Sequence, residues 1–150
     1  MRAMRAELTG DKRDAAEQQA VDHMMAFLRQ KRPRRFYPFV SCRTEIDTLQ
    51  LLQRVWKELP EIAVAVPCVE EQRMQFYEVR AMNDLHRGTM GILEPAGVEP
   101  VRAEDGVMLV PGLAYDERGY RVGYGAGFYD RYFAEYGLCK PNAGGVLKIG

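Results

Sequence analysis

The chain is poor in the residues that most often announce chemistry. It has three cysteines and two histidines among 150 residues, and no CxxC pair. Cys42, Cys68 and Cys139 form an odd, widely spaced trio, which argues against a disulfide framework. With only His23 and His86 to join them, they also make a poor zinc set. Buried, reduced thiols are the reading they support, and no recognisable base accompanies one as a nucleophile. An excess of one charge is missing too, because Lys+Arg and Asp+Glu stand at 21 each. Without a global basic field, any anion site must be local, and neither nucleic acid nor a membrane surface is an expected partner. No apolar run approaches the roughly 20 residues of a membrane span, and the N-terminus is basic but has no apolar signal core. The expected location is the cytoplasm. Repeats, low-complexity tracts and composition shifts are also lacking, so residues 1–150 read as one domain.

What is present is an alternation of helical and strand patterns. A 47% hydrophobic share can fill a core and is too apolar for disorder. From Thr9, an expected N-cap, a helix runs to Pro33 with Ala16, Ala20, Met24 and Leu28 every fourth residue. "RFYPFVSC" reads as a strand, placed at an edge or early in the sheet by Pro38. "TEIDTLQLLQRVWKELP" is a helix started by Thr44 and Asp47 in a capping-box-like pattern, with Ile46, Leu49, Leu52 and Trp56 as its apolar stripe. "EIAVAVPCV" and "GVMLVPG" are fully apolar strands, "MQFYEV" an alternating one. The stretch from Arg80 to Asp105 is irregular. "FYDRYFAEYG" is an amphipathic helix stopped by Gly137, and "GGVLKIG" begins one more strand. The order predicts an α/β fold: three layers, a mostly parallel sheet with helices on both faces.

The chemistry concentrates in "RVGYGAGFYDRY", where Gly123, Gly125 and Gly127 alternate just before a helix. Ligands of α/β sheets gather beyond the C-terminal strand ends, where loops hand over to helices. Bare backbone lets amides approach phosphate oxygens, and the helix N-terminus adds partial positive charge. Arg121 offers a bidentate full charge, and Asp130 can hold a hard cation such as Mg²⁺ together with phosphate oxygens. GxGxG is neither GxxxxGK[ST] nor GxGxxG, however, and a structural turn is an equal reading. An acid favouring a helix dipole is an equal reading of Asp130, and pairing with Asp116 or Glu117 an equal reading of Arg121. Residues alone support an anion or nucleotide site and nothing sharper.

The longer string "VPGLAYDERGYRVGYGAGFYDRY" resembles the signature of the 5-formyltetrahydrofolate cyclo-ligases, or methenyltetrahydrofolate synthetases. Pro111, Gly112, Asp116, Gly119, Arg121, Gly123, Gly125, Gly127, Tyr129 and Asp130 stand in register with it. "FVSCRTEIDT", "VAVPCVEEQRMQFYEV" and "GILEP" resemble further family segments in the same order, so the similarity runs from about Leu8 to Gly150. The resemblance implies a fold similar to the sugar-phosphate isomerase and CoA-transferase group. It also implies ATP- and Mg²⁺-dependent conversion of 5-formyltetrahydrofolate, with or without a polyglutamate tail, to 5,10-methenyltetrahydrofolate. In that reaction the formyl oxygen takes the γ-phosphoryl group, a neighbouring amine closes the ring, and phosphate leaves. A formamide oxygen is a poor nucleophile and a hydroxide-like oxygen a poor leaving group, so phosphorylation answers the second need and positioning the first.

Carried over residue by residue, Arg121, Val122, Gly123, Tyr124, Gly125, Ala126, Gly127, Phe128 and Tyr129 would wrap the ATP phosphates. Arg121 would be the catalytic charge and Asp130 the Mg²⁺ ligand. Val40 and Glu45 would face the reduced pterin, and Met74 would border it; Tyr124 and Ala126 occupy variable positions. Family members open with a Lys/Arg-bearing helix that would lie before Met1, with Arg2 or Arg5 the nearest stand-ins. They also continue past "GGVLKIG" to an acidic segment with a second Mg²⁺ contact. The expectation is therefore a domain shortened at both ends and acting as a monomer: a cyclo-ligase or, as the alternative, a weakly active or non-catalytic folate- or nucleotide-binding remnant.

Overall fold

The structure, a computed structural model, describes residues 10–42, 45–88, 91–97, 99–140 and 142–150. Helix α1 spans Asp11–Lys31, with Asp11 and Asp14 in its first turn and Arg29 and Lys31 in its last, both favourable to the helix dipole. Its first residue follows Gly10, and the expected cap Thr9 lies outside the described residues, as do Arg2 and Arg5. The buried face is Val21, Met25 and Leu28; of the expected fourfold repeat Leu28 is fully buried, Met24 is partly buried against the core, and Ala16 is exposed. A strict spacing of four drifts about 40° per turn against a period of 3.6, so no such stripe stays on one face.

Strand β1 (Arg35–Tyr37) is central and Pro38 lies just past its end, where the expectation was an edge or an early position. Pro38 has no N–H to donate to a neighbouring strand, and the ladder ends immediately before it. Helix α2 (Thr48–Glu58) is capped by Asp47, whose carboxylate accepts from the amides of Leu49 at 2.9 Å and Gln50 at 3.4 Å. Thr44, expected to share this cap, lies outside the described residues. The stripe is Leu51, Leu52 and Val55, with Leu49 and Trp56 partly buried; Ile46 precedes the helix and packs on its other side.

Strands β2 (Ala63–Glu70) and β3 (Arg73–Val79) form a hairpin. The stretch expected to be irregular holds a second hairpin, β4 (Leu85–Arg87) with β5 (Leu93–Pro95). Strand β6 is Gly106–Leu109, β7 Ala114–Tyr115, β8 Arg121–Val122, helix α3 Phe128–Tyr136, and β9 Val146–Ile149. Helix α3 ends at Gly137, as its sequence predicts.

The main sheet has the order β3-β2-β1-β6-β9, and every pairing but β2–β3 is parallel. Register lines up Val64, Phe36 and Val107 on one face and carries Tyr37 and Met108 to the other. The first face packs on α1 and α2, the second on α3 through Tyr129 and Tyr132. Helices therefore cover both faces, and strand alternation divides the apolar residues between two cores. The expected three-layer, mostly parallel architecture is the one observed.

Candidate functional site

Beyond the C-terminal ends of β1 and β6 lies a cavity of about 590 Å³. Its first wall is the turn after β1. There the Ser41 amide donates to Thr48 Oγ1 at 2.8 Å and the Thr48 amide donates to Ser41 Oγ at 3.3 Å. This reciprocal clamp ties the turn to the start of α2, with Thr48 buried. Val40 and Glu45 line the cavity from this turn. Glu45 lies in the turn, ahead of the Asp47 cap, and not at the helix start predicted for it. Its Oε2 accepts from the Cys42 amide at 2.8 Å, and its carbonyl accepts from Arg13 Nη2 at 3.3 Å. Met74, nearly buried on β3, lines the same cavity.

The second wall is the glycine loop. Asp116 builds the turn before it, accepting from the amides of Arg118 at 2.9 Å and Tyr120 at 2.8 Å. Arg121 then tucks back, donating from Nη1 to the Pro111 carbonyl at 3.0 Å and from Nη2 to Asp130 Oδ1 at 2.6 Å. Its partner is thus Asp130, and not Asp116 or Glu117. A Cβ at Gly112 would lie 2.9 Å from Arg121 Cγ, so the bare residue of "VPG" makes room for this folded-back side chain. Gly127 caps α3 with φ 68 and offers no side-chain acceptor. Only a residue at ease with left-handed φ suits this position, and it leaves the first-turn amides to an external acceptor. Gly123, Tyr124, Gly125, Ala126, Gly127, Phe128, Tyr129 and Asp130 all line the cavity together with Arg121. Val122 does not: it is exposed on β8, where alternation turns it away, and its carbonyl accepts from the Leu113 amide at 2.7 Å.

Charge in the cavity is divided. Asp130 is 72% exposed while Arg121 is 15% exposed, so the carboxylate stands in reach of solvent with its counter-charge behind it. Among the described residues, no three His, Cys, Asp or Glu side chains cluster as a metal set. A cation here would therefore take Asp130 together with ligand oxygens, which suits Mg²⁺ and a phosphate better than an all-protein cage. Tyr129 is buried with its ring under the Arg121 guanidinium at 5.8 Å, and its hydroxyl has no partner among the described residues. Burial holds this phenol far above its usual range, the Glu45 charge adds to the effect, and Arg121 opposes it.

Together with Pro111 of the signature string, residues given no binding role from the sequence also line the space: Phe39, Cys42, Pro67, Cys68, Val69, Ile92 and Glu94. Their signal lay in the strings "FVSC", "VPCV" and "GILEP", which carried the resemblance without being assigned roles. Burial, then the charges of Glu94 and Glu70, push the Cys68 thiol up, so it stays protonated. The three cysteines are free thiols as expected, but Cys139 is exposed rather than buried, because it follows the last apolar anchor after α3, Leu138. No described helix is long and apolar enough to cross a membrane.

An open, mostly parallel α/β sheet with a glycine-lined, uncapped helix start at its carboxyl edge defines a class of ligand-binding α/β proteins. Comparison with known proteins narrows that class. The model of the 5-formyltetrahydrofolate cyclo-ligase family matches residues 1–147, and the chain belongs to that family. It is 28% identical over 137 residues to a 5-formyltetrahydrofolate cyclo-ligase of Haemophilus influenzae, covering 87% of this chain and 72% of the relative. It is 30% identical over 115 residues to a mitochondrial one of Arabidopsis thaliana, covering 65% of this chain but only 42% of that longer protein. The fold matches the solved 5,10-methenyltetrahydrofolate synthetase of Aquifex aeolicus with a TM-score of 0.76 at 27% identity, over 99% of this chain and 77% of that one.

Proposed function

We propose that this chain, as one α/β domain, converts 5-formyltetrahydrofolate to 5,10-methenyltetrahydrofolate with consumption of ATP in the presence of Mg²⁺, releasing ADP and phosphate. One observation carries the reading: a single cavity is lined by every expected site residue except Val122. Family membership and the division of the walls support it further. The loop amides and Arg121 form a donor wall suited to phosphate oxygens. Phe39, Val40 and Met74 form an apolar floor suited to a flat ring, with Glu45 as an acceptor for its N–H groups.

In this proposal the formyl oxygen takes the γ-phosphoryl group, the neighbouring amine then attacks the formyl carbon, and the C–O bond breaks with phosphate leaving. The chain's own residues position and neutralise. Arg121 holds charge developing on the transferred group, and the apolar floor keeps water from the activated carbon. Mg²⁺, when bound, would neutralise phosphate charge beside Asp130. Asp130 gives only Oδ1 to Arg121, so Oδ2 stays open to the metal while the guanidinium lies beside the glycine loop. The side chains present fit both partners, because the pair already holds one charge of each sign at the rim.

The test mixes protein, 5-formyltetrahydrofolate and Mg·ATP and follows the near-ultraviolet absorbance of the methenyl product. A rise that Asp130→Ala abolishes is expected. No rise above that control counts against turnover, and saturable folate binding by calorimetry without product would leave a binding protein instead.

A further inference from the structure

Two carboxylates line the cavity away from the glycine loop, Glu45 and Glu94, and they are not equivalent. Glu45 already spends Oε2 on the Cys42 amide at 2.8 Å. The Glu94 carboxylate, on β5, accepts no hydrogen bond and forms no ion pair with any described residue, its backbone alone being held in the ladder to His86. It is half-buried, and its charge reaches the Cys68 thiol on the cavity wall. Its side chain lies directly over Gly88, just past β4 on the partner strand's side of the hairpin. A Cβ at Gly88 would come within 2.0 Å of both Cδ and Oε2 of Glu94. Any other residue at 88 would therefore expel the carboxylate from its present place.

We infer that Glu94 is a substrate-positioning and specificity-determining residue. Both its oxygens are available to accept a pair of adjacent N–H groups from a flat, amino-substituted heterocycle, and Gly88 is bare in order to seat it. The inference rests on the proposed function for the identity of that heterocycle, a reduced pterin. A carboxylate accepts through both oxygens and donates nothing, so it matches an amino group beside a ring N–H as a bidentate partner. Glu45 has one oxygen already engaged, so Glu94 is the carboxylate of the two with both oxygens unengaged. The negative charge of Glu94 also disfavours the anionic glutamyl end of a folate at this wall. It therefore selects the orientation in which the ring enters the cavity and the tail remains outside.

Calorimetric titration of the whole chain with 5-formyltetrahydrofolate, and separately with Mg·ATP, tests this. Glu94→Gln is expected to weaken folate binding about ten- to hundredfold, the loss of a charge-assisted pair, and to leave Mg·ATP within about twofold. Gly88→Ala is expected to copy that loss when Glu94 is present. In a Glu94→Ala background it should add less than about twofold, because its only victim is already gone. A general packing defect would instead lower the affinity for both ligands, or make the two substitutions additive, and either result overturns the inference. Folate binding by Glu94→Gln equal to that of the parent chain overturns it while sparing the cyclo-ligase reading. A parent chain that binds no folate overturns both.

Discussion

The wall from Arg121 to Asp130 is one unbroken stretch of chain. The wall facing it draws Val40 and Glu45 from the turn after β1, Met74 from β3, and Ile92 and Glu94 from the β4–β5 hairpin. The first wall offers donors: loop amides, the uncapped start of α3 and a guanidinium. The second offers apolar surface and acceptors. A donor wall of backbone amides can be written in a short motif, because it needs only local conformation and bare positions. An acceptor wall of side chains needs several strands brought side by side. The proposed function assigns phosphate to the first wall and the N–H-bearing ring to the second.

Substitutions on the two walls should therefore fail in different currencies. The largest effect is expected from Arg121→Ala, which removes the only cationic side chain among the described cavity residues. Turnover should fall about a thousandfold, the scale of losing an arginine at a transferring phosphoryl group, with folate affinity little changed. An initial-rate assay beside a folate titration separates the two. Asp130→Asn comes next: the Mg²⁺ concentration for half-maximal rate should rise at least about tenfold, since even outer-shell partners of metals matter that much. A metal titration of rate reads this, and an unchanged midpoint would remove Asp130 from the metal's surroundings.

Smaller effects probe the helix behind the donor wall. Tyr129→Phe deletes a buried hydroxyl that has no described partner, so the ligand-free chain should gain about 1 kcal/mol or be unchanged in urea unfolding. A loss of more than that would mean that the hydroxyl is bonded in the free protein. The least effect is expected from alkaline titration of Tyr132. Burial pushes its phenol up to about 12, from 10 in a model compound. The unfolded chain loses this proton first, so the native state holds more protons between those values and stability falls as pH rises through that window. Below about pH 10 the contribution is flat. Tyr132→Phe should remove its share of the alkaline slope, measured by denaturant midpoints from pH 9 to 12.

Much of the fold could be read from residue order. Helix α3 and its stop at Gly137, the apolar strands β2 and β6, and the alternating β3 all follow from short-range pattern. The misplacements have particular causes. Pro38 suggests an edge or an early position, yet it directly follows the last residue of a central strand. Only the sheet order tells whether a proline's missing donor faces solvent or simply closes a ladder. The α1 repeat keeps Leu28, while Val21 and Met25 replace Ala20 and Met24, because small apolar residues recur on several faces and the shared core with Phe36 and Val64 selects among them. The β4–β5 hairpin was invisible because three-residue strands carry too little periodicity to see.

Residue order thus carries the glycine loop and the family, since alternating glycines, Arg121 and Asp130 stand in one short segment whose backbone geometry and charge are local. Only the tertiary structure decided that Arg121 and Asp130 hold each other, that Glu45 spends an oxygen on its own turn, and that Glu94 stands ready over Gly88. Each of these depends on where a flexible side chain finds its partner, and that is set by distances between segments remote in the chain.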